Sequence, residues 1–339
     1  MKTLVLEKPG EFQLTETSPP QRVGDDEALV RVLRVGICGT DLHAFEGKQP
    51  FFEYPRILGH ELAVEIVALG KQSSSYGLSV GDICAVEPYM NCGVCVSCRR
   101  GRTNCCVNLQ VLGVHCDGGM REQITVPMRK LHLAAGVPAD HLAMVEMLGI
   151  GAHAVRRAQL EADENVLVIG AGPIGLGVMA FAQLMNVNVI AMDINSDRLA
   201  FSKQSLNIEH TIDARNNPAE QLQDLLGEMP TVVVDATGSA ASMTNAFEYV
   251  AHSGKLVYVG IVRDEIAFSD PHFHSHELAL LSARNATGSD FDWVIESLAS
   301  GAVNLDGWIT HRATPEALPG EFAGWLKPEN RVVKAMLEF

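Results

Sequence analysis

The sequence predicts an α/β protein with two lobes, a doubly wound parallel sheet and a separate β-rich lobe. Up to about residue 130 the chain has short β-rich runs divided by Gly, Pro and Asp, and in one of them Leu62, Val64 and Ile66 share a face. From Asn165 onward, β-branched runs alternate with helical stretches, as they do in βαβ units. The length of 339 residues is about that of two domains.

The predicted elements divide the chain where its pattern changes. A helix is expected at about 140–157, and strands of the parallel sheet are expected at 166–169, 187–192, 231–235 and 255–260. Past Arg284 the regular alternation of strand and helix patterns ends, and the sequence finishes in a strand-like run at 331–339. The C-terminal segment is therefore expected to return to the first lobe. The predicted domains are therefore a β-rich domain at 1–147 and 284–339, and a sheet domain at 148–283.

The charge balance favours small-molecule partners. Lys plus Arg is 26 and Asp plus Glu is 41, a net charge of −15, which opposes binding to nucleic acid or to an anionic membrane. The first residues include no apolar stretch of signal-peptide length, so we expect a cytoplasmic protein. The uncharged segment 166–192 contains glycines and a proline, which fit strand, turn, helix and strand better than a membrane span.

A glycine-rich turn predicts a dinucleotide site. Gly170, Gly172 and Gly175 form G-x-G-x-x-G directly after an apolar strand and at the start of a helix, with Pro173 and Ile174 between the last two glycines. These glycines permit a tight turn and close approach of the backbone to a pyrophosphate, while the helix N-terminus offers free N–H groups. The alternative interpretation is a tight βα turn without a ligand.

The acid at the end of the next strand indicates which coenzyme would bind. Asp193 follows Gly175 by eighteen residues. A carboxylate there accepts hydrogen bonds from the ribose hydroxyls and repels a 2′-phosphate, which predicts NAD over NADP. Arg198 lies near enough in sequence to weaken that preference, and Asp193 could instead cap the following helix.

The cysteines cluster in one short segment. All eight lie before residue 117, and Cys92, Cys95 and Cys98 are followed closely by Cys105 and Cys106. Four thiolates on one loop match a structural zinc site with no open position, and either of the last two cysteines could be the fourth ligand. An iron–sulfur cluster and a zinc-ribbon nucleic-acid module are the alternatives.

Two upstream motifs complete a family pattern. They are G-I-C-G-T-D-L-H at 36–43 and G-H-E at 59–61. With the dinucleotide turn, the cysteine loop, Glu146 and D-A-T-G at 235–238, they resemble the zinc-dependent medium-chain alcohol and polyol dehydrogenases. The resemblance implies a Rossmann NAD-binding domain, a discontinuous GroES-like β-barrel catalytic domain, and Cys106 as the fourth structural ligand.

Further segments are similar to particular members of that family. Within it the sequence looks like the sorbitol, threonine and sugar-acid dehydrogenases. In detail it is most similar to hexonate 5-dehydrogenases acting on L-galactonate or L-gulonate, in segments that include 49–52, 54–56, 104–106, 111–115, 268–271 and 282–287.

The resemblance also implies a catalytic zinc. Cys38 and His60 match its ligands, and Glu146 is expected as the third, with Glu61 as the alternative. A carboxylate in place of a second thiolate makes the metal harder, which suits a substrate that chelates through two hydroxyl oxygens. Asp41 is expected to hold the imidazole of His60.

The remaining expected roles also follow from the resemblance. Thr40 and His43 match the residues that carry the alcohol proton out of the site. Arg284 is the candidate that meets a substrate carboxylate, with Lys48 and His115 as weaker candidates, although Arg284 could equally form a salt bridge at the lobe boundary. The NAD site is expected to include, besides the glycine turn, Asp193 and Arg198, the residues Thr237, Gly238, Val259 and Gly260.

The predicted function is therefore hydride transfer from a secondary alcohol of a sugar acid or polyol to NAD. L-galactonate or L-gulonate, oxidised at C5, is the expected substrate, with two zinc ions per chain and a homodimer or homotetramer. The enzymatic alternatives are a sorbitol-type polyol, a threonine-type substrate and a sugar phosphate. The non-enzymatic alternative is a sensor that binds NAD without turnover.

Overall fold

The computed structural model describes residues 1–49 and 52–339, so the Q-P-F-F segment at 49–52 lies partly outside the described residues. Two compact units divide the chain. The first unit contains Met1–Glu146, Thr287–Gly301 and Leu305–Phe339, and the second contains Met147–Ala286 and Ala302–Asn304. The predicted α/β class with a doubly wound parallel sheet is confirmed.

The described residues form strands, α-helices and short 3₁₀ turns. The strands are β1 (Lys2–Lys8), β2 (Glu11–Glu16), β3 (Glu27–Ile37), β4 (Glu61–Leu69), β5 (Ile83–Val86), β6 (Tyr89–Met90), β7 (Gln110–Val111), β8 (Gln123–Pro127), β9 (Leu131–Leu133), β10 (Asn165–Ile169), β11 (Asn188–Asp193), β12 (His210–Asp213), β13 (Val232–Asp235), β14 (Lys255–Tyr258), β15 (Ala279–Ser282), β16 (Ile309–Ala313) and β17 (Lys334–Glu338). The α-helices are α1 (Gly39–Phe45), α2 (Val96–Arg99), α3 (Ala139–Leu142), α4 (Val145–Ala158), α5 (Pro173–Gln183), α6 (Ser196–Leu206), α7 (Pro218–Leu226), α8 (Ala240–Asn245), α9 (Asp270–Ser275), α10 (Gly288–Ala299) and α11 (Leu318–Trp325).

The first unit is built on a seven-stranded, mostly antiparallel sheet. Its order is β16-β17-β3-β4-β5-β9, and β8 also pairs with β3. The C-terminal strand β17 lies between β16 and β3, so Met336 pairs with Gly36, which in turn pairs with Glu61 on β4. Apolar side chains such as Leu62 and Ile66 alternate along β4 into the core. This register places three strands side by side next to the predicted metal ligands.

The second unit is a six-stranded parallel sheet in the order β12-β11-β10-β13-β14-β15. The chain leaves β10 toward β11 and later returns to the other side of β10 as β13, which is the switch point of a doubly wound sheet. Strands β10 and β13 are buried over nearly their whole lengths because helices cover both faces of such sheets.

Two strands of the parallel sheet, and a break between two helices, were not evident from the sequence. Strands β12 (H-T-I-D) and β15 (A-L-L-S) lie at the edges of the parallel sheet and lack the long β-branched runs of the inner strands. The helix expected at 140–157 is divided into α3 and α4, because the Met144 N–H bonds to the His141 carbonyl in a tight three-residue turn.

The uncharged segment 166–192 folds as β10, α5 and most of β11. In the part of the chain that the structure describes, every helix is too short or too polar to cross a membrane.

Candidate active site

Three candidate metal ligands converge in the first unit. Cys38 follows β3, and His60 and Glu61 stand at the start of β4. One ligand atom from each of the three lies within 4.8 Å of the other two. His60 is 4% exposed and Glu61 is fully buried. The antiparallel pairing of β3 with β4 explains this convergence, because Gly36 lies directly opposite Glu61.

Cys38 is held by the start of helix α1. It is the N-cap residue, its Sγ accepts from the Thr40 N–H at 3.5 Å, and its own N–H donates to Asp41 Oδ2 at 2.9 Å. This reciprocal arrangement is a capping box. The helix start therefore orients the thiol toward His60 and Glu61.

Asp41 is fully buried and lies beside His60. Its Oδ1 is 3.7 Å from His60 Nδ1, an ion-pair distance that is too long for a hydrogen bond. Burial alone would lower the pKa of His60, but the charges of Asp41 and Cys38 raise that pKa well above its usual value. Asp41 thus acts on His60 through charge in this structure.

Glu146, the expected third ligand, lies outside the group of three. It is 4% exposed in the first turn of α4, and its Oε1 accepts a hydrogen bond from the hydroxyl of Tyr89. Its Oε2 is buried and has no hydrogen-bond donor among the described residues. Burial raises the pKa of Glu146, and the negative charge of Glu61 also raises it. Two buried glutamates therefore belong to this site.

Two residues of the site were missed by the sequence analysis. Lys334 is 2% exposed, and its Nζ forms an ion pair with Glu61 Oε2. Tyr89 is also 2% exposed, and burial, followed by the charge of Glu146, raises its pKa well above the usual value. The available signal for Lys334 was a single charge at the start of an apolar terminal strand; Tyr89 had no distinguishing signal.

The cysteine cluster lies on a separate loop of the first unit. The sulfurs of Cys92, Cys95, Cys98 and Cys106 all lie within 4.8 Å of one another, and Cys105 is exposed outside the cluster. Backbone N–H groups, first that of Cys98, lower the pKa of Cys95 to about 6. At Cys95 the loop therefore favours the thiolate form that zinc requires.

The glycine turn of the second unit has the predicted geometry. Gly170 has φ +95°, and a Cβ at Gly175 would lie 1.7 Å from the Gly170 carbonyl oxygen, so both positions require glycine. Gly172 is the N-cap of α5, Pro173 is its first residue, and Ile174 follows half-buried. Backbone N–H groups at this helix start face the turn without side-chain caps, as an anion site requires.

Asp193 stands beside that turn. Its Oδ2 accepts from the Ala171 N–H at 2.7 Å and its Oδ1 accepts from the Asn195 N–H at 2.8 Å. Arg198 is half exposed, with a guanidinium nitrogen 3.9 Å from Asp193 Oδ2. The carboxylate is thus fixed against the glycine turn, and its remaining lone pairs can accept further hydrogen bonds.

The loops after β13 and β14 meet at the same edge of the sheet. Asp235 accepts from both the backbone and the hydroxyl of Thr237, and a Cβ at Gly260 would lie 2.6 Å from the Gly238 nitrogen. Val259 precedes that glycine and is half-buried. The close approach of the two loops brings these four expected cofactor residues together.

Both donor sets fit zinc. Four thiols match a closed tetrahedral site, and a thiol, an imidazole and a carboxylate match an open one. The buried Oε2 of Glu146 lacks a hydrogen-bond partner among the described residues, as a potential ligand atom would.

Two known protein families match successive parts of the chain. The family described as "Alcohol dehydrogenase GroES-like domain" matches residues 24–136, and "Zinc-binding dehydrogenase" matches residues 173–300. L-galactonate-5-dehydrogenase of Escherichia coli (strain K12) is 38% identical over 340 residues, covering 100% of this chain and 99% of the relative. The chain belongs to the zinc-dependent alcohol and polyol dehydrogenase family.

Two other relatives agree with that membership. Sorbitol dehydrogenase of Bacillus subtilis (strain 168) is 30% identical over 352 residues, covering 99% of this chain and 97% of the relative. The crystal structure of RspB from E. coli CFT073, described as an alcohol dehydrogenase complexed with NADH, has a TM-score of 0.92 and 30% identity, covering 100% of this chain and 99% of that one. This dehydrogenase is accordingly a zinc-containing, NAD-dependent oxidoreductase of alcohols.

The two expected proton-transfer residues lie on helix α1 of the dehydrogenase. Thr40 is half-buried beside Cys38, and His43 is exposed three residues further on. Residues three apart share one face of a helix. The pair therefore leads from the metal ligands toward the surface.

Each of the three expected substrate residues is exposed. Lys48 is exposed and pairs with Glu46 at 2.7 Å. His115 is exposed, accepts from the Val111 N–H at 3.1 Å, and lines a 410 Å³ pocket with Arg56. Arg284 is exposed in the second unit. Their roles toward a substrate carboxylate remain predictions.

Proposed function

We propose that this dehydrogenase oxidises a secondary alcohol of a hexonate sugar acid, L-galactonate or L-gulonate, at C5, and reduces NAD. The observation that most supports this substrate is the similarity to L-galactonate-5-dehydrogenase over the whole chain. The carboxylate-containing metal site agrees with it, because hard oxygen ligands suit a metal that meets a polyhydroxylated substrate.

The catalytic zinc would be held by Cys38, His60 and a carboxylate. The geometry favours Glu61 as the converging ligand, and Glu146 is the second buried carboxylate that can take that position. When bound there, zinc acts as a Lewis acid and makes an alcohol proton more acidic. A second zinc would be held by Cys92, Cys95, Cys98 and Cys106 and would be structural.

The chain's own residues would move the proton. Thr40 accepts a hydrogen bond from the substrate hydroxyl and takes up its proton while releasing its own toward His43, which passes a proton to solvent because its side chain is exposed. Asp41 keeps His60 oriented through its buried negative charge. The carbon that bore the hydroxyl loses its hydrogen as hydride to the nicotinamide, so an alcohol becomes a ketone while NAD is reduced.

The second unit would bind NAD through the glycine turn, Asp193 and the loops of Thr237 and Gly260. Asp193 would accept from the ribose hydroxyls and disfavour NADP. Arg284, Lys48 and His115 are the candidates for the substrate carboxylate, because arginine in particular binds carboxylates through paired hydrogen bonds.

The dehydrogenase would also assemble as a homodimer or homotetramer through the second unit. Strand β15 is an edge of the parallel sheet, and Ala279 and Leu280 on it are exposed. An exposed apolar edge strand is a surface for pairing with another chain. Light scattering of the purified protein would give the number of chains.

A substrate panel tests the proposed function. The zinc-loaded protein would be assayed for NADH formation with L-galactonate, L-gulonate, sorbitol, L-threonine and a sugar phosphate. We expect the highest kcat/KM with one of the two hexonates. Rapid turnover of sorbitol or threonine with none of the hexonates would contradict the substrate, and NAD binding without any turnover would favour the sensor.

A further inference from the structure

The hydroxyl of Tyr89 holds one of the two buried glutamates of the site. It donates to Oε1 of Glu146, and Oε2 of the same carboxylate has no donor among the described residues. We infer that Tyr89 is a positioning residue that fixes Glu146 so that its free oxygen is presented to the metal held by Cys38 and His60. This inference rests on the proposed function, in which Glu146 can serve as a zinc ligand.

The two glutamates of the site have different partners. Glu61 pairs with the ammonium group of Lys334, which offsets its negative charge. Glu146 instead accepts from the phenol of Tyr89 through one oxygen, and its other oxygen has no donor among the described residues. A carboxylate with one oxygen anchored and the other free is oriented, as the ligands of a metal site are by the groups behind them. The hydrogen bond to Tyr89 therefore prepares Glu146 for a cation.

Packing keeps the phenol in place. The Tyr89 ring meets the buried ring of Phe291 edge to face, with centroids 6.3 Å apart and an interplanar angle of 86°. Phe291 in turn stacks on His132 at 5.0 Å. Nδ1 of His132 lies 2.9 Å from Asp292 Oδ1, and its Nε2 lies 3.5 Å from Glu87 Oε2. Because each ring is confined by the next, the Tyr89 hydroxyl has little freedom to follow a displaced Glu146.

The hydroxyl can be removed without removing the ring. Tyr89→Phe keeps the contact with Phe291 and deletes only the hydrogen bond to Glu146. Tyr258→Phe is the matched control, because Tyr258 also donates its hydroxyl to a buried partner, the Met243 carbonyl, but lies in the second unit. Glu146→Gln tests the carboxylate itself.

The readouts are metal affinity and a spectrum. Zinc affinity would be measured by competition with a chelator, and the ligand field by the visible absorption of the Co²⁺-substituted protein. We expect Tyr89→Phe to weaken binding at the catalytic site about 10- to 100-fold, as lost partners of metal ligands do, and to shift the Co²⁺ bands. Tyr258→Phe should change neither, and adding Tyr89→Phe to Glu146→Gln should have little further effect.

The outcomes separate the inference from the proposed function. If Glu146→Gln alters both readouts and Tyr89→Phe alters neither, the positioning role of Tyr89 is wrong and the ligand role of Glu146 stands. If neither substitution alters them, both are wrong. Should Tyr89→Phe not fold, 3-fluorotyrosine would be introduced at position 89, because it keeps the ring and makes the hydroxyl a stronger hydrogen-bond donor. An unchanged Co²⁺ spectrum of that protein would overturn the inference.

Discussion

Lys334 and Glu61 form a buried ion pair next to two candidate zinc ligands, although they are 273 positions apart in the chain. Lys334 begins β17 and Glu61 begins β4, with β3 between these strands. Gly36 on β3 makes the contact possible, because a Cβ there would lie 2.1 Å from the Glu61 oxygen that meets Lys334. The ammonium group of Lys334 balances one negative charge in a site that also contains Cys38, Asp41 and Glu146.

Removing Lys334 should destabilise the metal-free protein. Lys334→Met leaves Glu61 as an uncompensated buried charge, which typically costs about 3–5 kcal/mol in the free energy of unfolding. The loss should be smaller in the zinc-loaded protein, because the metal supplies positive charge. Denaturant unfolding of both forms would measure it. Lys2→Met is the control, since the Lys2–Glu316 pair is about half exposed, and equal losses in the two variants would contradict the prediction.

A methyl group at Gly36 should disturb the same contact. Gly36→Ala places a Cβ 2.1 Å from Glu61 Oε2 and 3.0 Å from the Ala143 carbonyl oxygen. Overpacking of this kind costs about 1–3 kcal/mol in the free energy of unfolding. Gly320→Ala, in the exposed part of α11 with nothing within 4 Å, should instead stabilise the protein by about 0.5–1 kcal/mol. Thermal unfolding compares the two, and a stable Gly36→Ala variant would refute the argument.

The cysteine cluster should account for one zinc ion. Cys95→Ser removes a ligand from a four-sulfur site, so elemental analysis should find one zinc per chain fewer and the melting temperature should fall. Cys105→Ser alters an exposed cysteine outside the cluster and should keep the full zinc content. Loss of zinc from Cys105→Ser with retention in Cys95→Ser would show that the cluster is wrongly assigned.

Asp193 should determine the choice between NAD and NADP. Asp193→Asn removes the charge that meets the ribose, so kcat/KM with NAD should fall about 10- to 100-fold, the range expected for hydrogen bonds to a charged group. The value with NADP should rise, because repulsion of the 2′-phosphate is lost. Asp224→Asn, on the exposed side of α7, should leave both values unchanged. An unaltered ratio in Asp193→Asn would contradict the assignment.

The two carboxylate contacts made by His132 should give a pH-dependent contribution to stability. Burial lowers the pKa of His132, but its contacts with the carboxylates of Glu87 and Asp292 outweigh burial and raise it. Because the pKa of His132 is raised by folding, its stabilising contribution is fully present below its pKa in the unfolded chain, about 6.5. That contribution is lost as the pH rises through the pKa of His132 in the folded protein. The difference in unfolding free energy between the parent chain and His132→Asn should therefore shrink from pH 6 toward alkaline pH. A difference that grew over that range would contradict it.

The motifs that the sequence revealed are those whose members are close in the chain. Cys92, Cys95 and Cys98 sit on one loop, and the glycines at 170–175 form one turn, so spacing alone specifies their chemistry. The inner strands of the parallel sheet were equally evident, because burial on both faces requires long apolar runs. The edge strands β12 and β15 were not, because an edge needs no such run.

The amino-acid sequence by itself determined the family, the two groups of candidate metal ligands and the glycine turn of the coenzyme site. Each of these depends on residue types at short spacing. Tertiary structure alone decided which partner each buried carboxylate has: Lys334 for Glu61, through the register of β17, β3 and β4, and Tyr89 for Glu146. The physical reason is that a buried charge needs compensation from whatever group folding brings within reach, and that group can lie anywhere in the chain.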